Sequence, residues 1–387
     1  MKYKLSEIGR VVTGKTPSTK NKTSFSEEPN KYLFVTPRDM NSSEKTIKET
    51  ERYLTDEVTN AFKNLILDDK SICVSCIGTI GKVFMLSGPA ITNQQINSIT
   101  EIKEFVQPDY LYYYLTIHQK DIENLAGGTT MPIVNKTSFE QLEVDIPDLE
   151  TQKKIVRILS ALDQKIELNN QENKNLEAIC EHLYKETIKN NNCNKTTIGN
   201  YSKTVTTGGT PSTKNELFWG GNIPFVTIPD MHNKVFIANT ERTITEAGVT
   251  KSKITPKGSI IVSCIATVGL VSVAPLECQT NQQINSVVPK NLFDTYFLYE
   301  TLKNKTEVLK AIGSTGSATL NVNKTAFSNV EIQIPSQEVI ERYHIKVSPL
   351  FEKIYKNEAE NLTIVYLRDN LLPKLMSGEI SLENVSL

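Results

Sequence analysis

The sequence predicts an α+β protein: two tandem mixed α/β domains separated by two long helices that form an antiparallel coiled coil, the whole having pseudo-twofold symmetry. Three observations predict it. The chain repeats itself at an offset near 190 residues, each repeat mixes β-branched runs with helical stretches, and each ends in a segment whose apolar residues step by 4 and 3. A chain of 387 residues is long enough for two or more domains. At 39% hydrophobic and 22% charged residues it is neither disordered nor collagen-like nor membrane-spanning. Lys+Arg 43 against Asp+Glu 44 gives a formal charge of −1, so any binding to an anionic polymer must come from local patches.

The repeat is the strongest signal. Thr13-Gly14-Lys15-Thr16-Pro17-Ser18-Thr19-Lys20-Asn21 returns as Thr207-Gly208-Gly209-Thr210-Pro211-Ser212-Thr213-Lys214-Asn215. Phe34-Val35-Thr36 with Asp39-Met40 returns as Phe225-Val226-Thr227 with Asp230-Met231, and Thr92 to Ser98 returns unchanged as Thr280 to Ser286. Asn135-Lys136-Thr137-Ser138-Phe139 also returns, as Asn323-Lys324-Thr325-Ala326-Phe327. The period is far longer than the ~20–50 residues of a solenoid unit, which makes this a duplicated domain. Within a copy, runs such as Ser71 to Phe84 and Leu142 to Ile146 read as strands, and Pro108 to Leu125 and Asp294 to Ile312 as helices. Gly258 to Leu276, uncharged but rich in Ser, Gly and β-branched residues, reads as two strands and a turn, not as a membrane span.

After Ile146-Pro147 the pattern changes. Ile155, Leu159, Leu162, Ile166, Asn169, Asn173, Leu176, Cys180 and Leu183 form a coiled-coil seam, and Tyr343, Val347, Leu350, Ile354, Asn357, Asn361, Ile364, Arg368 and Leu371 repeat it. Pro373 is expected to stop the second helix. In an antiparallel pair the partner numbers have a constant sum. Pairing Asn169 with Asn361 and Asn173 with Asn357 places Ile166 against Ile364, Leu176 against Ile354 and Leu159 against Leu371. Buried seam asparagines cost stability but fix register. Only Leu162 opposite Arg368 is awkward, with the arginine expected to lay its stem over the leucine and send its head to water. The domain division that follows is 1–150, a spacer helix 151–190, 191–335, a distal spacer helix 336–376 and a tail 377–387.

The seam from Ile155 to Leu183 would extend about 42 Å at ~1.5 Å per residue, close to the ~34–36 Å turn of B-DNA. Two duplicated heads on such a spacer suit two short, unlike DNA sites separated by uncontacted sequence. The N-terminal MKYKLSEIGR has no secretory apolar core, and six unevenly spaced cysteines suit a reducing cytoplasm.

These residues together resemble the DNA-specificity subunit of Type I restriction-modification systems. The likeness covers essentially the whole chain. It rests on Thr-Gly-x-Thr-Pro-Ser-Thr early in each copy, Phe218-Trp219-Gly220-Gly221-Asn222-Ile223-Pro224 leading to Asp230-Met231, and the Thr-Asn-Gln-Gln-Ile-Asn blocks. Ile146-Pro147 with Gln152, and the ending Leu371 to Ile380, add to it. Copy one departs in having Ser26 to Tyr32 in place of the Trp-Gly-Gly stretch, and copy two in having Ile340 where copy one has Gln152. The resemblance implies two target-recognition domains (1–150 and 191–335) and no catalysis by this chain. It implies double-stranded DNA, two modification (methyltransferase) subunits and optionally restriction subunits as partners. It implies no cofactor on this chain, with S-adenosylmethionine, and ATP with Mg where a restriction subunit exists, on the partners.

Candidate DNA contacts divide by chemistry. Lys15, Thr16, Ser18, Thr19 and Lys20, with Thr210, Ser212, Thr213 and Lys214, combine hydroxyls, ammonium groups and a Pro-fixed turn suited to phosphate, although the same residues populate any surface turn. Asn93, Gln94 and Gln95, with Asn281, Gln282 and Gln283, could pair with adenine edges. Because two heads that read different sequences should not share readers, these triplets are assigned to the loop framework. Specificity is expected where the copies diverge: Arg38 against Pro229, Asn41 against His232, and Gly127 to Ile133 against Ser314 to Leu320, including Gly128, Thr129, Thr130, Thr315 and Ser317.

Other signals carry less. Cys73-Val74-Ser75-Cys76 has zinc or redox spacing, but copy two has Ile261 in place of Cys73 and no second ligand pair completes a site, so no metal is expected. Gly78-Thr79-Ile80-Gly81-Lys82 is too short for a phosphate-binding loop. No Asn-Pro-Pro-Tyr-type methyltransferase element occurs. The competing reading is a tandem adaptor that holds proteins or glycans without DNA specificity, favoured only by the near-neutral charge.

Overall fold

Short apolar runs with few alternating polar residues make strands that are buried on both faces. Ile72–Ser75, Ile96–Thr100, Ile260–Ser263 and Ile284–Val288 are buried at every position. The structure, a computed structural model, describes residues 1–18, 24–41, 45–127, 132–250, 253–314 and 319–383. The chain forms two compact units, Met1–Glu167 with Ile364–Leu387, and Leu168–Thr363.

In the first unit, Arg10–Thr13, Ile96–Thr100, Ile72–Ser75, Val83–Leu86 and Thr46–Ile47 hydrogen-bond in that order into a five-stranded sheet. Phe25–Ser26, Tyr53–Leu54, Tyr32–Val35 and Ala90–Thr92 make a four-stranded one. The second unit has two four-stranded sheets. One is ordered Thr204–Thr207, Ile284–Val288, Ile260–Ser263, Val271–Val273, and the other Arg242–Ile244, Trp219–Val226, Cys278–Thr280, Ile254–Thr255. In each unit the sheet that holds Tyr32–Val35 or Trp219–Val226 contains a parallel pair, Phe34 beside Ile91 and Phe225 beside Gln279.

Where one helix was expected in each copy, the structure has two: Pro108–Ile117 and Gln119–Asn124, then Asp294–Lys303 and Thr306–Gly313. His118 and Lys305 leave helical backbone angles, at φ −100° and −99°. The His118 ring stacks on Tyr114 with centroids 4.0 Å apart, which holds that break.

The two long helices are Leu149–Lys189 and Gln337–Met376. In the second unit they run antiparallel: Asn169 donates to Asn361 Oδ1 at 2.9 Å, and Asn357 donates to Asn173 Oδ1 at 2.8 Å. Asn361 in turn donates to Asn170 at 2.9 Å, so the amides satisfy one another inside the seam. Around them Cys180, Val347 and Ile354 are buried with Leu176, Leu183 and Leu350 packed alongside. In the first unit Ile155 and Leu159 share a core with Leu372 and Leu375. A cysteine pair at 169 and 361 is therefore expected to form a disulfide under mild oxidation. Faster linkage of 169 to 357, read by peptide mapping, would overturn this register.

Two expectations for the helices need correction. Arg368 does not send its head to water: Nη1 donates to Asp163 Oδ1 at 2.9 Å, and its side chain is only 21% exposed. Pro373 does not stop the second long helix, which also runs through Pro349. Each proline removes one main-chain bond. Leu372 and Leu375 on either side of Pro373 are anchored in the first unit's core, and Val347 and Phe351 around Pro349 in the second unit's core. Packing on both sides carries the helix through. It ends at Met376, and Gly378 just beyond, with a φ of +76°, adopts the left-handed conformation that caps helices.

Candidate nucleic-acid interface

In each unit the Thr-Gly-x-Thr turn is locked onto the Asn-Gln-Gln turn by the same set of bonds. Thr13 donates its hydroxyl to Asn97 Oδ1 at 2.6 Å and Thr16 to Gln94 Oε1 at 2.7 Å. Thr207 and Thr210 do the same to Asn285 and Gln282, both at 2.7 Å. Asn93 accepts from the Gln95 amide N–H and donates to the Gln95 side chain, each at 3.0 Å, and Asn281 treats Gln283 identically. The turns touch so closely that only glycine fits between them. A Cβ on Gly14 would lie 2.2 Å from Thr92 O, and one on Gly208 would lie 2.3 Å from Thr280 O.

Asp39 and Asp230 organise the next loop. Each carboxylate accepts from a threonine three residues earlier, through both its N–H and its hydroxyl at 2.7–2.8 Å. Each also accepts from the amide of Glu51 or Glu241, at 3.0 and 2.9 Å. A further repeat, Thr50-Glu51-Arg52 and Thr240-Glu241-Arg242, supplies those amides. Self-comparison of the sequence could have found this triplet.

The copies also solve one problem with different residues. Ser18 O and Ser212 O each receive a hydrogen bond, from Ser24 Oγ at 3.0 Å in the first unit and from Trp219 Nε1 at 3.1 Å in the second. The missing Trp-Gly-Gly stretch of copy one is thus replaced in function at this point by Ser24. The loop that begins at Gly127 joins the same edge. Gly127 and Ile133 exchange backbone bonds at 3.1 Å, Ile133 bridges to Ile77, and Val134 N–H donates to Cys76 O at 3.0 Å. In the second unit Val322 N–H donates to Cys264 O at 2.8 Å and Ile265 bridges to Asn321. Each edge therefore gathers a shared, internally bonded framework and the described ends of a loop whose sequence differs between copies.

The family model for the Type I restriction modification DNA specificity domain matches residues 1–178 and again 191–362. The chain belongs to the Type I restriction-modification DNA-specificity family. Among curated members, the specificity subunit of the Type I restriction enzyme HindI from Haemophilus influenzae is 34% identical over 358 residues, covering 71% of this chain and 78% of that one. The MjaIX specificity subunit from Methanocaldococcus jannaschii is 27% identical over 413 residues, covering 99% and 94%. The fold matches the crystal structure of a Type I restriction-modification S subunit from M. genitalium with a TM-score of 0.56 at 16% identity, over 97% of this chain and 95% of that one.

Within this DNA-specificity fold the candidate residues sit as follows. Lys15, Ser18, Thr210, Ser212, Thr213, Lys214 and His232 are exposed, and Thr16 is half-buried. Thr16 and Thr210 already donate their hydroxyl protons to the framework, which leaves them only lone pairs to offer. Arg38 is exposed and lies 3.7 Å from Glu51, a weak surface pair that a phosphate or base could replace. Ser314 is exposed, with its hydroxyl on Ala311 O at 2.8 Å. Thr19, Lys20, Gly128, Thr129, Thr130, Thr315 and Ser317, and the side chain of Asn41, lie outside the described residues. The six triplet residues Asn93, Gln94, Gln95, Asn281, Gln282 and Gln283 all bond within the turns described above.

A cation is present beside each Thr-Gly turn but comes from different positions. Lys15 follows Gly14 and lies over the Phe62 ring at 5.9 Å. Gly209 occupies the aligned place in copy two, and Lys253 reaches across it to donate to Thr207 O at 2.8 Å. The sequence reading missed Lys253, since its aligned residue in copy one is Leu65.

The Cys73 and Cys76 thiols belong to the core. Both are buried, and burial pushes Cys73 up to about 12 and Cys76 to about 11, away from thiolate chemistry. Among the described residues no helix is long and apolar enough to cross a membrane.

Proposed function

We propose that this DNA-specificity protein reads a bipartite, asymmetric DNA target with one recognition domain, 1–150 or 191–335, on each half-site. One observation carries this reading: an identical bonded framework is built twice, while the loops it holds differ between copies. Framework side chains that already bond one another hold loops in place, whereas loops that differ supply base-edge contacts that distinguish sequences. Arg38 faces no counterpart at Pro229, and His232 stands where copy one has Asn41. The two halves of the target should therefore be unlike.

The chain itself performs no chemistry on this reading. It places two modification subunits, and restriction subunits where the system has them, on the DNA, and S-adenosylmethionine and ATP with Mg belong to those subunits. Methylome sequencing tests the proposal: the strain is expected to carry a split motif with N6-methyladenine in each half, and deleting this chain should erase it. Persistence of that methylation after deletion would overturn the assignment.

A further inference from the structure

We propose that Arg52 and Arg242 each hold a DNA phosphate, as a sequence-independent clamp on each half-site. The proposal rests on the DNA-reading function above and adds two residues to it. Arg52 lies over two rings, its guanidinium carbon 4.7 Å from the Phe25 centroid and 5.4 Å from Phe34. Arg242 lies 3.4 Å from the Trp219 centroid. The supporting rings are themselves packed edge-on in both units, Phe25 against Phe34 at 5.0 Å and Trp219 against Phe225 at 5.1 Å. The same arginine platform is thus built twice, from a phenylalanine in one copy and a tryptophan in the other.

The platform is tied to the candidate edge. Trp219 donates to Ser212 O in the Thr-Pro-Ser-Thr turn, and Ser24, the neighbour of Phe25, donates to Ser18 O. The backbone of each arginine is pinned as well: Thr50 and Thr240 donate to Arg52 O and Arg242 O at 2.7 and 2.6 Å. Yet among the described residues neither guanidinium has a hydrogen bond or an ion pair. A guanidinium lying on a ring keeps its five N–H donors at its edge, already oriented, so little freedom is lost when a planar or tetrahedral oxyanion arrives. A leucine would cover the ring equally well without a charge. Arg242 is exposed and Arg52 half-buried, so both can reach a ligand.

Because both copies present the arginine while their half-sites differ, the partner must be common to every sequence. The phosphate backbone is that partner. Base reading would instead require the arginine to vary between the copies.

The test uses the complex of this chain with its modification subunits and the duplex defined by the methylome. R52Q and R242Q are each expected to weaken binding roughly fivefold at ~0.15 M salt and to make the log–log salt slope shallower by about 0.9, the value for one phosphate. The loss should be equal on cognate and scrambled duplexes. A slope equal to that of the parent, or a loss confined to the cognate duplex, overturns the clamp.

Scanning the duplex with single methylphosphonates separates contact from folding. The parent should lose affinity when one particular phosphate in a half-site is neutralised, and R242Q should be indifferent there; a profile identical to the parent's overturns the clamp. If the parent complex does not prefer the split duplex at all, the DNA-reading function fails, and the clamp with it. A normal preference with unaltered variants removes the clamp alone.

Discussion

Asp163→Ala is expected to destabilise the first unit by about 2–4 kcal/mol. Asp163 on the first long helix accepts from Arg368 Nη1 at 2.9 Å and from the Tyr113 hydroxyl, with side-chain exposures of 13% for Asp163 and 21% for Arg368. Removing the carboxylate leaves a largely buried guanidinium whose only other carboxylate partner among the described residues is Asp369, at 2.9 Å and 57% exposed. The buried tyrosine hydroxyl loses its acceptor as well. Breaking one side of such a pair costs more than replacing both sides with apolar groups. The double variant D163A/R368L should therefore recover much of the loss. Urea unfolding of the whole chain, with hydrogen exchange of residues 108–117 to localise the effect, checks both statements. A D163A variant within about 0.5 kcal/mol of the parent would sink this account of the network.

Glu300→Met is expected to stabilise the protein at pH 8 by about 3 kcal/mol, with the gain shrinking as the pH falls towards 5. Glu300 is fully buried, and neither carboxylate oxygen has a hydrogen-bond partner among the described residues. Burial pushes its carboxyl up from an ordinary 4.5 to about 7, with Glu181 and Glu177 adding to the rise and Lys303 and Lys185 opposing it. Lys303 is the strongest of the opposing charges, yet its ammonium is bonded to Glu177 at 2.8 Å and burial still wins. The folded chain therefore holds a proton at Glu300 that the unfolded chain releases near 4.5. The stability tied to this group is present below that value and is lost as the pH rises towards 7. Methionine fills similar volume without a charge. Melting temperatures of parent and variant across pH 5 to 8 test this, and a difference that does not change with pH would refute it. Tyr112 occupies the aligned position in the first copy, so the effect belongs to the second unit alone.

Much of the architecture is readable in one dimension. The 188-residue offset of Thr92 to Ser98 exposes the duplication directly, and the alternating steps from Ile155 to Leu183 expose the seam, because helical periodicity is a local property. The bonding of Asn93 to Gln95 within the turn also follows from a local argument, since both bonds span two residues. What was missed involves partners distant in the chain. Lys253 and Leu65 align by number, yet Lys253 serves the place that Lys15 serves in the other copy. Pro373 reads as a stop by its own chemistry, but buried leucines on both sides keep the helix intact. The helix breaks at His118 and Lys305 escaped notice because apolar spacing continues across them.

The amino-acid order alone reveals two copies of one domain, a helix with an asparagine-bearing seam after each, and loops that differ between the copies. Each of these is a matter of order and spacing along the chain. It took the folded chain to show that Ser24 and Trp219 serve equivalent carbonyls, that Arg368 is neutralised by Asp163, that the buried Glu300 carboxylate has no hydrogen-bond partner among the described residues, and that two arginines rest on unlike rings in like fashion. Hydrogen bonds, ion pairs and ring contacts depend on where side chains arrive in space, and different residues can arrive at the same place.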